Sequence, residues 1–317
     1  MKLSKNRIAY SAIVLLLFTF SNFISSQDSP ADFSKLTGPY LGQKPPGMIP
    51  EVFAPGIISI PGFEGCSGFN LKADLFVFER NSESPLEIFI TRVKNGKWIQ
   101  PVLFSGDSEF SDGDFTFAPD GKAIYLTSRR PLKGDTEGSD DSNIWKTVFT
   151  GNDWSEPVML GDKVNTDSHD SYPSAANDGT IYFFSRRPGG FGTSDIYVSK
   201  KVNGNFMDAV NLGKIINTEY EEWDPFIAPD ESYLIFCSTK PESYGRDDLY
   251  ISFRSGGDSW TRPVNMGDEI NSIQSENRPY LTPDGKYFFF TSDKSGDREI
   301  YWVDAKIIDT FKPDDIR

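Results

Sequence analysis

One short turn recurs through the chain and constrains its fold more than anything else in the sequence. Ala118-Pro119-Asp120-Gly121 aligns with Ala176-Asn177-Asp178-Gly179, Ala228-Pro229-Asp230-Glu231 and Thr282-Pro283-Asp284-Gly285, at steps of 58, 52 and 54 residues. An apolar strand ending in serine follows each turn: Ile124 to Ser128, Ile181 to Ser185, Tyr233 to Ser238 and Tyr287 to Ser292. A degenerate copy, Leu75 to Arg80, precedes them without the turn. Each copy continues into a third strand: Glu87-Ile88-Phe89, Asn143-Ile144-Trp145, Asp195-Ile196-Tyr197, Asp248-Leu249-Tyr250 and Glu299-Ile300-Tyr301. Four copies add a fourth: Trp98 to Val102, Trp154 to Val158, Phe206 to Val210 and Trp260 to Val264. Three of these run on into Leu/Met-Gly and then Asn-Thr/Ser.

Four short aromatic and β-branched strands per unit, separated by Gly, Pro, Asp and Asn, make one propeller blade. No stretch carries a capped helical period. A blade alone cannot bury both faces, so the units must stack around an axis. The expectation is an all-β chain: a single β-propeller of four-stranded blades over residues 47–310. Five blades are expected, with six as the alternative if residues 30–60 and 303–317 hold more strands. The fifth unit has no fourth strand of its own, and Pro50 to Ile58 reads as the spare that closes the ring. Closure matters because an open blade would expose an unpaired edge.

The Pro-Asp-Gly turn, the apolar strand ending in Ser and the Asp-Ile-Tyr strand resemble the WD40-like propeller repeat of TolB-type proteins. The resemblance covers about residues 64–304, judged from repeat spacing. It implies a propeller. It leaves function open between partner-binding periplasmic modules, propellers attached to peptidases and carbohydrate-active proteins. TolB-type proteins carry an additional N-terminal domain with no counterpart here, so the TolB partner role does not transfer.

Lys2, Lys5 and Arg7, then the apolar run Ala12 to Phe20, then Ser25-Ser26 before Gln27, have the order of a secretory signal over residues 1–26. The apolar run is short for a membrane span. An exported protein, periplasmic or extracellular, is expected, with no transmembrane segment after cleavage. Residues 27–46 read as a mobile lead-in and 311–317 as a tail. The formal charge is -14 from 46 acids and 32 bases, which argues against nucleic acid as a partner. The single histidine excludes a multi-histidine metal site. Cys66 and Cys237 fall three blades apart and are expected as buried free thiols.

Nine residues before each turn position stands an acid: Asp112, Asp170, Glu222 and Glu276, with Glu64 one residue off register. Radial repetition would gather them at one mouth of the channel. No cofactor is expected, although Ca²⁺ is the ion such oxygen ligands would suit. As a pair, two of the four would also suit glycoside hydrolysis. The plainer reading is a structural ladder held by Arg80, Arg129 or Arg186, because repetition supplies no asymmetry for catalysis. Asymmetry points instead to Trp223, to Arg278, standing where other blades have Asp114, Tyr172 and Asp224, and to His169. Trp223, Arg278, His169, Glu222 and Asp170 are therefore the candidate ligand-binding residues. Trp223 is read equally as a sugar platform or as a channel plug, and His169 more simply as a loop residue. Trp98, Trp154 and Trp260 recur at one position and read as packing. The leading functional reading is a non-catalytic binding propeller that recognises a protein, peptide or oligosaccharide at an acidic mouth. The second is a glycoside hydrolase-like enzyme using the paired carboxylates.

Overall fold

The computed structural model describes residues 32–81, 87–104, 110–132, 137–150 and 154–314. The predicted signal segment, the start of the expected lead-in (27–31) and the end of the expected tail (315–317) lie outside the described residues. The strands form five antiparallel sheets in a ring, a five-bladed propeller. Blade 1 holds Phe63–Phe69, Leu75–Asn81, Glu87–Lys94 and Val102–Leu103. Blade 2 holds Gly113–Phe117, Ala123–Ser128, Asn143–Val148 and Val158–Met159. Blade 3 holds Asp170–Ala175, Ile181–Ser185, Asp195–Ser199 and Val210–Asn211. Blade 4 holds Glu222–Ile227, Tyr233–Ser238, Asp248–Gly256 and Val264–Asn265. Blade 5 holds Glu276–Leu281, Tyr287–Ser292 and Glu299–Asp304, and its fourth strand is Glu51–Val52.

First strands touch the first strands of both neighbouring blades, so they line the axis. Second strands lie between blade faces and are buried along their whole length in blades 2, 3 and 4. That is why they read as continuous apolar runs instead of alternating ones. The recurring turn has one mechanism. Each Asp Oδ1 accepts the N–H two residues on: Lys122, Thr180, Ser232 or Lys286. The following residue takes a left-handed backbone, at φ +67° for Gly121 and +71° for Gly285, and Glu231 adopts it at +58° without the glycine's freedom.

The fourth strands differ from the sequence expectation. Trp98, Phe206 and Trp260 do not join the blade ladder. They form hairpins with the end of the third strand or the residues after it, opposite Val93, Lys201 and Arg254. Only the valine that ends each predicted strand, with the residue after it, pairs with the blade. Pro101, Pro157 and Pro263 sit between the two parts, and a residue without an N–H interrupts a ladder.

The buried Asn of the Asn-Thr/Ser motif ties the segment after the fourth strand to the third strand in blades 2, 3 and 4. Ile144, Ile196 and Leu249 N–H donate to Asn165, Asn217 and Asn271 Oδ1, at 2.8 Å in all three blades. The amide nitrogens return to the carbonyls of the same three residues. Asn217→Ala should therefore cost about 1–3 kcal/mol in urea unfolding, because it strands the Ile196 N–H, while the Ile196 carbonyl keeps the Leu212 N–H.

Glu51 and Val52 pair with Trp302 and Tyr301, closing the ring as the spare strand predicts. The residues that left room for a sixth blade are otherwise used. Within the expected lead-in, Phe33, Tyr40 and Leu41 are buried in the core beside Phe69, Trp98, Phe289 and Trp302, so this part is packed and not loose. Among the described residues no helix is long and apolar enough to cross a membrane.

Candidate functional site: the channel and its mouth

The repeated acids stand at the head of the first strands, and each is bonded by its own blade or by the connection leading into it, although Asp112 Oδ1 has no hydrogen-bond partner among the described residues. Asp170, Glu222 and Glu276 are fully buried, and Asp112 is 3% exposed. The residue four before the acid supplies both its N–H and its hydroxyl. Thr166 donates to Asp170, Thr218 to Glu222 at 2.7 and 2.6 Å, and Ser272 to Glu276 at 2.7 Å each. The serine that ends the second strand adds a bond: Ser238 to Glu222 and Ser292 to Glu276. Two residues past that serine stands a cation. Arg187 reaches Asp170 at 2.7 Å, Arg130 pairs with Asp112, and Lys240 lies 3.9 Å from Glu222. The arginine partners are therefore Arg130 and Arg187, one position beyond the expected Arg129 and Arg186; Arg80 does approach Glu64. These cations also cap rings of their own blade: Arg187 over Tyr197 at 4.7 Å, Lys240 over Tyr250 at 4.8 Å and Lys294 over Tyr301 at 4.1 Å. Burial raises the Glu222 and Glu276 carboxyls above their usual range, against the bonds from Thr218 and from Ser292 and Ser272.

Two residues further in, every first strand carries a bulge. The residues there are Cys66, Asp114, Tyr172, Asp224 and Arg278, one per blade. The last four have left-handed backbones, with φ between +44° and +54°. Four non-glycine residues in that region store strain, and the neighbouring blade restrains them. The Asp114 N–H donates to Glu79, and the Tyr172 N–H to Thr127 Oγ1 at 3.1 Å. Glu79 and Thr127 occupy one register position of the second strand, so blade 1 clamps blade 2 and blade 2 clamps blade 3.

This inner ring holds a charge cluster in which Glu79 is buried and Arg278, Asp114 and Asp224 are partly buried. Arg278 Nη2 lies 3.4 Å from Asp114 and its Nε 3.7 Å from Glu79. Its backbone N–H serves Asp224. Glu79 also accepts the Cys66 N–H at 3.0 Å. Burial raises the Glu79 and Asp224 carboxyls, and Asp114 adds to it, while Arg278 opposes. Burial works against the charge on Arg278 too, but the surrounding carboxylates outweigh it and keep the guanidinium protonated. Cys66, Glu79 and Asp114 bring ligand atoms within 4.8 Å of one another, yet the positive charge among them is the arginine's.

The other candidates lie around this plug. Trp223 is half-buried between two apolar clusters, and its indole hydrogen-bonds Cys237. The His169 ring lies 5.6 Å from Phe184, and burial, with Arg186, lowers its pKa so that the imidazole favours the neutral form. Cys66 and Cys237 are buried free thiols. At the same mouth a cleft of about 400 Å³ opens beside Phe63, Arg246, Asp293 and Arg298. Arg278 and Arg298 sit over the Phe63 ring at 5.6 and 4.9 Å, which ties the plug to the surface. Sequence reasoning had Asp114, Tyr172 and Asp224 only as comparators for Arg278. The available signal was their shared offset of two residues from the ladder acid. Glu79 had no such signal, since it replaces Thr127, Phe184, Cys237 and Thr291 in one blade only.

The structure thus defines a five-bladed propeller with a charged axis. Its fold is similar to that of TolB from Acinetobacter baumannii, at a TM-score of 0.50 and 13% identity over 78% of this chain and 53% of that one. It is equally similar to the endo-arabinase from Bacteroides thetaiotaomicron, at 0.52 and 11% identity over 78% of this chain and 94% of that one. The chain spans about half the length of that TolB chain. No protein-family model and no curated protein matches the sequence. The TolB-type resemblance read from the repeats holds at the level of the propeller fold.

Proposed function

We propose that the protein is an exported, periplasmic or extracellular, non-catalytic propeller that binds a protein, peptide or glycan at its channel mouth. One observation carries this reading. All four repeated carboxylates are buried: Asp170, Glu222 and Glu276 have both oxygens bonded and Asp112 is held by Arg130, which leaves no open pair for acid and base work. The surface beside them is mixed in charge, with Arg246 and Arg298 against Asp293 and Asp297, and it offers a face for recognition. Neither a metal nor a cofactor is required, and Ca²⁺ enters the proposal only as a ligand to be screened.

The test combines turnover with binding. Arabinan and other glycans, with Ca²⁺ or with chelator, should yield no product, and Glu222→Gln should change thermal stability alone. Product formed by the parent and lost in E222Q would overturn the reading. A mouth ligand should raise the unfolding midpoint by mass action, and Arg298→Ala should cancel that rise.

A further inference from the structure

Every junction between blades forms a groove on the outer side. One wall comes from the second and third strands of one blade, the other from the aromatic hairpin of the next. The repeat makes these grooves equivalent, so their contents can be compared. Between blades 5 and 1 the groove is filled by the chain's own residues 33–42. Tyr40 packs edge-on against Phe69 and Tyr287, with centroids 4.9 Å apart in both pairs. The Trp98 backbone N–H donates to the Leu36 carbonyl at 3.1 Å, and its indole N–H to the Gly38 carbonyl at 2.8 Å. Between blades 4 and 5, Ile307 and Ile308 near the C-terminus join the cluster of Ile235 and Ile251.

Between blades 3 and 4 the counterpart of Trp98 is Trp260, as the pairings with Val93 and Arg254 show. Trp260 is 5% exposed, and its indole N–H has no hydrogen-bond partner. A buried donor without an acceptor is costly and rare. In the opposite wall, Tyr182 and Val198 stand where blade 5 has Phe289 and Trp302. The smaller valine leaves a groove of about 370 Å³. Its lip is apolar and exposed: Val210 is 61% accessible, Val202 and Met207 48% each. The charges at its edge are already matched, since Asp258 pairs with Lys200 and approaches Arg254. Between blades 2 and 3 the same position is Phe206, which has no N–H to offer.

We propose that the groove between blades 3 and 4 docks an uncharged peptide segment of a partner protein, as residues 33–42 dock between blades 5 and 1. A backbone carbonyl of the peptide accepts the Trp260 indole N–H. An aromatic or branched side chain fills the space beside Val198 and Val210. The same segment from a second copy is a poorer occupant, because its own chain already holds it. This site is separate from the channel mouth, and either can fail without the other.

The probe is a phage-displayed library of random twelve-residue peptides panned on the purified chain. Enriched peptides should carry an aromatic or branched residue without flanking charge. Their affinity should be abolished by Val210→Glu, a change on the exposed lip that leaves the core intact. It should fall about 3- to 10-fold in Trp260→Phe, the loss expected for one hydrogen bond. Arg298→Ala, at the mouth, should leave it unchanged. No enriched peptide, or enriched peptides that bind V210E and W260F as well as the parent, would overturn the proposal.

Discussion

Arg278→Met should lower the unfolding free energy by about 3–5 kcal/mol at pH 8, the usual cost of removing the partner of a buried charge. The methionine fills much of the same space, so lost packing is a small part of the effect. What remains is Glu79, Asp114 and Asp224 around a vacated centre, with burial already pushing Glu79 and Asp224 towards their neutral forms. The deficit should therefore shrink at pH 5, where those carboxyls take up protons, and adding Glu79→Gln to R278M should recover part of it at pH 8. Urea unfolding of the parent, the single and the double variant at both pH values decides the matter. A loss that is equal at pH 5 and pH 8 would mean that Arg278 acts through packing and not through charge.

Glu64 should make the whole protein less stable as pH rises from about 4.5 to about 7. Burial pushes its carboxyl up to about 7, only partly offset by the Ile60 N–H and by Arg80. The folded chain keeps a proton across that window, and the unfolded chain releases it. The stabilisation is complete below the unfolded value and is lost as pH climbs through the folded one. A shift of that size corresponds to about 3 kcal/mol. Glu222 and Glu276 are shifted in the same direction. Asp293, lowered by Arg298 although burial opposes it, contributes stability that is lost only at lower pH. Glu64→Gln should flatten the slope between pH 5 and pH 8 and leave the variant the more stable of the two at pH 8. An unchanged slope would mean that Arg80 keeps Glu64 ionised in the fold.

The architecture was legible because the repeat wrote it four times. The turn before Ile124 and the turn before Tyr287 use the same aspartate bond, and any one of them predicts the others. The acids at Asp112, Asp170, Glu222 and Glu276 were legible as a set for the same reason. Their direction was not. A period of two in a strand tells which residues share a face, but a bulge breaks that period. The inward-facing group therefore sits two residues beyond the acid, at Asp114, Tyr172, Asp224 and Arg278, where alternation alone gives no warning. Glu79 was harder still, because it occurs once and its role depends on two neighbouring blades. The division of the fourth strand into a hairpin and a short pairing is marked in the sequence by Pro101, Pro157 and Pro263, and those prolines deserved more weight than the aromatic residues before them.

Joining Glu51 and Val52 to Tyr301 and Trp302 has a consequence for the order of events during synthesis. The strand made first waits for one made about 250 residues later. Until then, four blades can stack, but the outer strand of blade 5 has no partner and the ring has no latch. Such a long-range last step is slow, and it leaves a sticky edge exposed while the rest of the chain is ready. A nascent chain of this kind gains from being held unfolded until it is whole.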